Sequence, residues 1–191
     1  MNNNTYNTQL TGQLNDAVLQ GYIRPIEINQ DWMAFRNPNY DLNSASLHEG
    51  RFNTSGKSAY YLASGDYCGK LEVPKYSECI LCRIKPHTVY VFDIPAFAVT
   101  HNYNDAFVKQ RTDGGWEVCQ AVSQYLTDNH QVSGFLYQSA AMHNIGETGY
   151  CIAVLPGRDQ QLEADFFVRQ DTAPDGTVNN TQDSPSLDSQ H

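Results

Sequence analysis

Leu10, Leu14, Ala17 and Val18 recur at helical spacing near the start of the chain. One apolar stripe of that period predicts a helix capped at Thr8 or Thr11 and stopped by Gly21. Tyr22 to Ile28 then reads as a strand. The turn-rich stretch Asn37 to Ser46 is a loop. Thr54-Ser55-Gly56-Lys57 is turn chemistry, and the aromatic run Ala59 to Ala63 suits a short strand. Ser64 is placed to cap a helix carrying Tyr67, Leu71 and Glu72, which Pro74 ends.

Two β-rich runs follow, Glu78–Lys85 and Thr88–Asp93, separated by Pro86-His87 and expected to pair as a hairpin. Tyr103 to Lys109 fits neither period. Asp113-Gly114-Gly115 breaks the chain before a second helix, Trp116–Leu126, with Trp116, Cys119, Val122 and Leu126 on one face. Phe135–Tyr137 is a short strand leading to Ser139, and Gly149–Leu155 and Glu163–Val168 supply further strands. Many short strands with two or three helices indicate an α+β protein. Residues 1–170 form its single domain, and 171–191 is a polar tail that buries nothing and is expected to be unstructured.

Composition narrows the function. Acidic residues outnumber basic ones 21 to 12, a net charge of −9. That excludes the broad basic surface of non-specific nucleic-acid binding. No run approaches the ~20 apolar residues a membrane helix requires. The N-terminus lacks the charge and apolar core of a secretory signal, so a cytoplasmic protein is expected. Five cysteines without such a signal argue against a disulfide framework. Cys79 and Cys82 form a CxxC on a strand-like run, where positions three apart face opposite sides and do not converge on zinc. No metal site is expected, and there is no GxGxxG, Walker A or GxSxG motif.

The stretch His48 to Glu72 carries the candidate chemistry. Arg51, Tyr61 and Glu72 stand ten and eleven residues apart on a turn, a strand and a helix. A negative chain that binds an anion must concentrate its few arginines, which singles out Arg51. Taken one by one, these residues have ordinary roles: a paired surface Arg, a core Tyr, an exposed helix Glu.

Gly50, Arg51, Phe52, Asn53 and Gly56, then Tyr61, Leu62, Ala63, Ser64 and finally Glu72, resemble the signature of the RES domain family, named for an Arg, a Glu and a Ser. Ser139 in Gly-Phe-Leu-Tyr-Gln-Ser-Ala resembles the family's late Tyr-x-Ser element, followed by Gly149-Tyr150-Cys151. Ala140-Ala141-Met142-His143 stands where the family usually has an Arg. The resemblance implies a fold like that of the ADP-ribosyltransferase toxins, with two mixed or antiparallel sheets around a cleft for nicotinamide adenine dinucleotide (NAD).

It also implies an NAD+ glycohydrolase toxin with Glu72, Arg51, Tyr61 and Ser139 as catalytic residues. Arg51, Asn53, Tyr61 and Ser139 would contact the dinucleotide, with NAD as substrate and no separate cofactor. Cleavage of the nicotinamide–ribose bond passes through an oxocarbenium-like sugar, and a carboxylate such as Glu72 stabilises it or positions water. The Arg51 fork matches pyrophosphate oxygens. Tyr61 would stack on the nicotinamide or orient its ribose, and Ser139 would bond that ribose or a phosphate. Transfer of ADP-ribose to protein or to phosphate is the alternative on the same fold; Lys70, two positions before Glu72, favours hydrolysis. A non-catalytic NAD- or protein-binding module is the second alternative. Such a toxin implies an antitoxin or immunity protein that plugs the cleft, with the Asn37–Ser46 loop as its rim. It would act in the cytoplasm, whether made there or delivered there.

Overall fold

The computed structural model describes residues 3–29, 32–36, 49–54, 56–72, 78–84, 87–103, 107, 115–130, 132–155, 164–172 and 178–181. Its centre is a sheet built from strands that are apolar on both sides. The run Gly134–Gln138 (β6) and the run Tyr150–Val154 (β7) are almost wholly buried. A strand covered on both faces reads as a continuous apolar run rather than an alternation. Tyr60–Ser64 (β3) lies beside β7, with Leu62 opposite Ile152 and Ala63 opposite Cys151.

The remaining strands are Ile23–Ile28 (β1), Trp32–Arg36 (β2), Glu78–Ile84 (β4), His87–Asp93 (β5), Ala164–Thr172 (β8) and Val178–Thr181 (β9). They complete one sheet in the order β1-β5-β6-β7-β3-β2-β4-β8-β9. Among the described residues only β5 and β6 run parallel, so the sheet is mixed. β1 pairs with β5 alone, and an outer position is where Pro25, which has no N–H to donate, is tolerated.

Three expectations change here. The two-sheet core is a single sheet, because β2 carries two ladders. Trp32 and Met33 pair with β3, while Met33 to Arg36 pair with β4. Among the described residues that junction is two residue pairs wide on the β3 side. β4 and β5 do not form a hairpin: β4 pairs with β2 and β8, and β5 with β1 and β6. Long-range partners outcompete the nearest neighbour in sequence. Ser64 does not cap a helix. It ends β3, where its hydroxyl accepts from Tyr150 N at 3.0 Å. Gly65, at φ 82°, then turns the chain into the helix Asp66–Glu72 (α2).

The first helix, Asn3–Leu19 (α1), begins before Thr8 and Thr11, since nothing in the polar run before them breaks a helix. Its stripe is as expected: Leu10, Leu14 and Ala17 are buried, Val18 packs against them, and Gly21 closes the turn at φ 82°. Two helices were not expected. Ile94–His101 (α3) is capped by Asp93, whose side chain accepts from Ala96 N, with Pro95 in its first turn. Ala140–Asn144 (α5) is a five-residue helix capped by Ser139. Gly115–Asn129 (α4) is the helix expected over Trp116–Leu126, with Cys119, Val122 and Leu126 buried. Among the described residues no helix is long and apolar enough to cross a membrane.

The core occupies both sides of the sheet. One cluster joins α1, α3 and α4 to Phe92, Phe135, Tyr137, Cys151 and Ala153. The other gathers Ile28, Tyr60, Leu62, Val91, Leu136 and Ile152 on the opposite face. Within the segment 171–191, residues 178–181 pair with β8, while 173–177 and 182–191 lie outside the described residues, as does the Asn37–Ser46 loop.

Candidate active site

Register across the middle of the sheet places one row of side chains beside another. Phe135, Ala153 and Tyr61 are mutual neighbours across β6, β7 and β3, and Tyr137, Cys151 and Ala63 form the next row. Residues two apart share a face of a strand. Both rows therefore lie on the side covered by α1 and α4.

The turn Gly50–Asn53 sits over this face. Gly50 N donates to Asn53 O at 2.9 Å. Phe52 is buried and stacks on Phe135 with ring centroids 5.0 Å apart and planes 5° from parallel. Helix α4 ties the turn down from above: Gln120 Nε2 donates to Gly50 O at 2.9 Å and Ser123 Oγ to Phe52 O at 2.6 Å. Tyr61 ties it from below. Its hydroxyl donates to Asn53 Oδ1 at 2.7 Å and accepts from Phe52 N at 3.0 Å. Asn53 Nδ2 continues the network to Lys57 O at 2.7 Å. Burial holds the Tyr61 phenol far above its ordinary range, so the hydroxyl stays protonated and keeps donating.

That clamp fixes Arg51. Its side chain is largely buried, Nη1 donates to Phe107 O at 2.6 Å, and Cζ lies 5.6 Å from the centroid of the Tyr137 ring. Among the described residues the guanidinium has no carboxylate partner, whereas Arg24 pairs with Asp93 at 2.8 Å. A buried cation is costly unless compensated. Here the compensation is a carbonyl and an aromatic face, which leaves net positive charge for an anion.

The acidic end of the site is built by α2 and α5. Glu72 ends α2 and is exposed, whereas Ser139 is fully buried at the end of β6. Ser139 Oγ donates to Glu72 Oε1 at 2.5 Å and accepts from Met142 N at 3.1 Å. Cys151 Sγ lies 3.8 Å from the same Glu72 oxygen. Cys68, one helical turn before Glu72, reaches Tyr150 O at 3.7 Å and is coupled electrostatically to the Cys151 thiol. That coupling brings the Cys68 thiol down to about 7 and holds the Cys151 thiol well above its ordinary range.

Of the residues expected from sequence, Glu72 and Ser139 are in direct contact, and Arg51, Asn53 and Tyr61 share the clamped turn. Arg51 and Glu72 do not touch; Tyr137 and Cys151 stand between them. Tyr137, Cys151 and Cys68 were missed. Tyr137 was findable, since it precedes Ser139 by two on the same strand side, and Cys68 precedes Glu72 by four on one helix face. Arg24 lies apart from this cluster and donates to Asp93 Oδ2 at 2.8 Å. A cavity of about 960 Å³ opens on the opposite face, lined by Arg24, Trp32, Ser64, Asp93, Leu136 and Tyr150 among others, and includes none of these site residues.

Fold and site together define an α+β protein whose polar cluster is built on one covered face of a mixed sheet. The RES domain family model matches residues 24–175, and the chain belongs to that family. Membership is consistent with an NAD-related module. No curated protein matches the chain, and no solved structure does.

Proposed function

We propose that the chain is an NAD+ glycohydrolase that cleaves the nicotinamide–ribose bond. The observation that carries this reading is the Ser139–Glu72 hydrogen bond at the open end of a cluster whose closed end holds Arg51. A carboxylate oriented by a buried hydroxyl is the group an oxocarbenium-like sugar needs beside it. A guanidinium held without a carboxylate partner among the described residues is the group a pyrophosphate needs.

In the reaction, the C–N bond breaks with its electron pair going to nicotinamide, which leaves neutral. The sugar carbon takes up positive charge opposite the Glu72 carboxylate. Water adds to that carbon and releases a proton, giving ADP-ribose. Ser139 keeps one carboxylate oxygen turned towards the cleft. The Tyr61 ring would bear on the nicotinamide or its ribose, since its hydroxyl is spent on the turn.

The wider reading is a toxin acting on the cytoplasmic NAD pool, restrained by an antitoxin or immunity protein that covers the cleft. Purified protein incubated with NAD is expected to release nicotinamide and ADP-ribose. Glu72→Ala should lose about 10²–10³-fold, the scale of one electrostatic stabiliser. Intact NAD with wild type at micromolar concentration would overturn the proposal. ADP-ribose 1″-phosphate or labelled protein as product would redirect it to phosphate or to a protein acceptor.

A further inference from the structure

Helix α4 does two things at once. Cys119, Val122 and Leu126 are buried in the core. Gln120 and Ser123, three residues apart on the helix, bond instead to the turn that carries Arg51. Ser123 is buried, and its Oγ donates to Phe52 O at 2.6 Å. Gln120 Nε2 donates to Gly50 O at 2.9 Å and to Glu49 Oε1 at 3.1 Å. Gln124 Oε1 accepts from Lys57 Nζ at the far end of the same segment. Gly50 and Phe52 flank Arg51 in the chain, so the helix holds one carbonyl before it and one after it.

We infer that Gln120 and Ser123 are positioning residues that set the Arg51 guanidinium for the pyrophosphate of the dinucleotide. The inference rests on the reading of Arg51 as the pyrophosphate anchor and adds what holds that anchor. The bond from Arg51 Nη1 to Phe107 O, at 2.6 Å, fixes the tip of a long side chain. It does not fix the backbone from which that side chain starts. Bidentate recognition of phosphate oxygens needs the fork in one place and one plane. A turn free to shift by about an ångström would carry the fork off its target. Tyr61 holds the turn at Phe52 N and Asn53 Oδ1. The helix holds it at carbonyls, so the two supports do not duplicate each other. A helix face that only covered the core would need no donor at either position.

Ser123→Ala and Gln120→Ala each remove one donor and keep the helix. Arg51 would meet the pyrophosphate alike in ground and transition states, away from the bond that breaks. Each variant is therefore expected to raise KM for NAD about fivefold, with kcat within about twofold of wild type. Ser123→Thr keeps the hydroxyl and is expected to stay within about twofold of the wild-type KM. Wild-type KM in both alanine variants would overturn the inference even if their melting temperatures fell. A purely structural role lowers stability and leaves the KM of the folded enzyme alone. Loss of kcat at constant KM would overturn it as well. Gln120 is only half-buried, so a Ser123→Ala protein that fails to fold leaves the Gln120 measurement to decide.

A wild type that releases no nicotinamide would sink the glycohydrolase reading but not yet this one. ADP-ribose binding by calorimetry then decides. About fivefold weaker binding by each alanine variant supports the positioning of Arg51. Equal affinity for wild type and both variants overturns it, as does a wild type that binds no ADP-ribose.

Discussion

Ser139 gives its hydroxyl proton to Glu72 and its lone pair to Met142 N, at 2.5 and 3.1 Å. One buried oxygen therefore caps α5 and aims the carboxylate that ends α2. A hydroxyl has one proton and two acceptor sites, so both duties are met at once. The helix cap holds the Ser139–Glu72 contact in place, and the strand β6 delivers both.

Ser139→Ala removes both duties. Losing the cap should cost about 1 kcal/mol of stability. Losing a hydrogen bond to a charged group, worth roughly 1.5–3 kcal/mol, should slow nicotinamide release about 10- to 100-fold. Ser139→Thr keeps the oxygen and should recover most of each. Urea unfolding and initial rates check the pair; Ala and Thr variants with equal rates would remove Ser139 from the reaction.

Gly50→Ala tests how tightly the Arg51 turn is held. A Cβ there would stand 2.4 Å from the Tyr61 hydroxyl and 2.6 Å from Asn53 Oδ1. Both atoms are bonded to each other and to the turn, so neither moves without breaking the clamp. Overpacking of this kind should cost about 1–3 kcal/mol, and KM for NAD should rise as Arg51 shifts. A variant with unchanged stability and KM would show that the clamp is soft.

How much of this was legible follows from which forces were local. The α1 stripe, the β3 strand and the α4 face depend on neighbours a few residues away, and periodicity found them. α3 was hidden because Pro95 looks like a breaker until it is seen in a first helical turn. The β4–β5 hairpin failed because pairing is decided by partners far along the chain, at β8 and β1. Arg51, Tyr61, Glu72 and Ser139 were legible as a set only through the family signature. Tyr137 and the Cys68–Cys151 coupling depend on the order of strands, which no local pattern carries.

Tyr61→Phe asks whether the Tyr61 hydroxyl serves the fold or the substrate. The change strands Phe52 N, which donates to this oxygen, and takes one donor away from Asn53 Oδ1. Leaving a partly buried polar group unpaired should cost about 1–3 kcal/mol. Because the strain falls on the turn that holds Arg51, KM should rise more than kcat falls. The reverse split, a kcat loss at constant KM and full stability, would place the hydroxyl on the reacting sugar instead.

Alkaline pH should weaken the fold through Cys119. This thiol is fully buried on α4, and burial raises it from 9.0 to about 11 despite the pull of the nearby Arg51 guanidinium. Between those values the unfolded chain releases the proton and the native chain keeps it. The native state then binds more protons, so stability falls as pH rises: the contribution is whole below 9 and gone above about 11. Linkage puts the loss at about 2 kcal/mol by pH ~10.5. Cys119→Ala starts less stable at pH ~8, because it leaves a small void. It lacks this slope, so the gap to wild type should narrow by about 2 kcal/mol between pH ~8 and ~10.5. Tyr61, Tyr137, Cys68 and Cys151 titrate in both proteins and cancel in the difference. Urea unfolding at the two pH values measures it, and a constant gap would mean that Cys119 ionises in the native state as freely as in the unfolded chain.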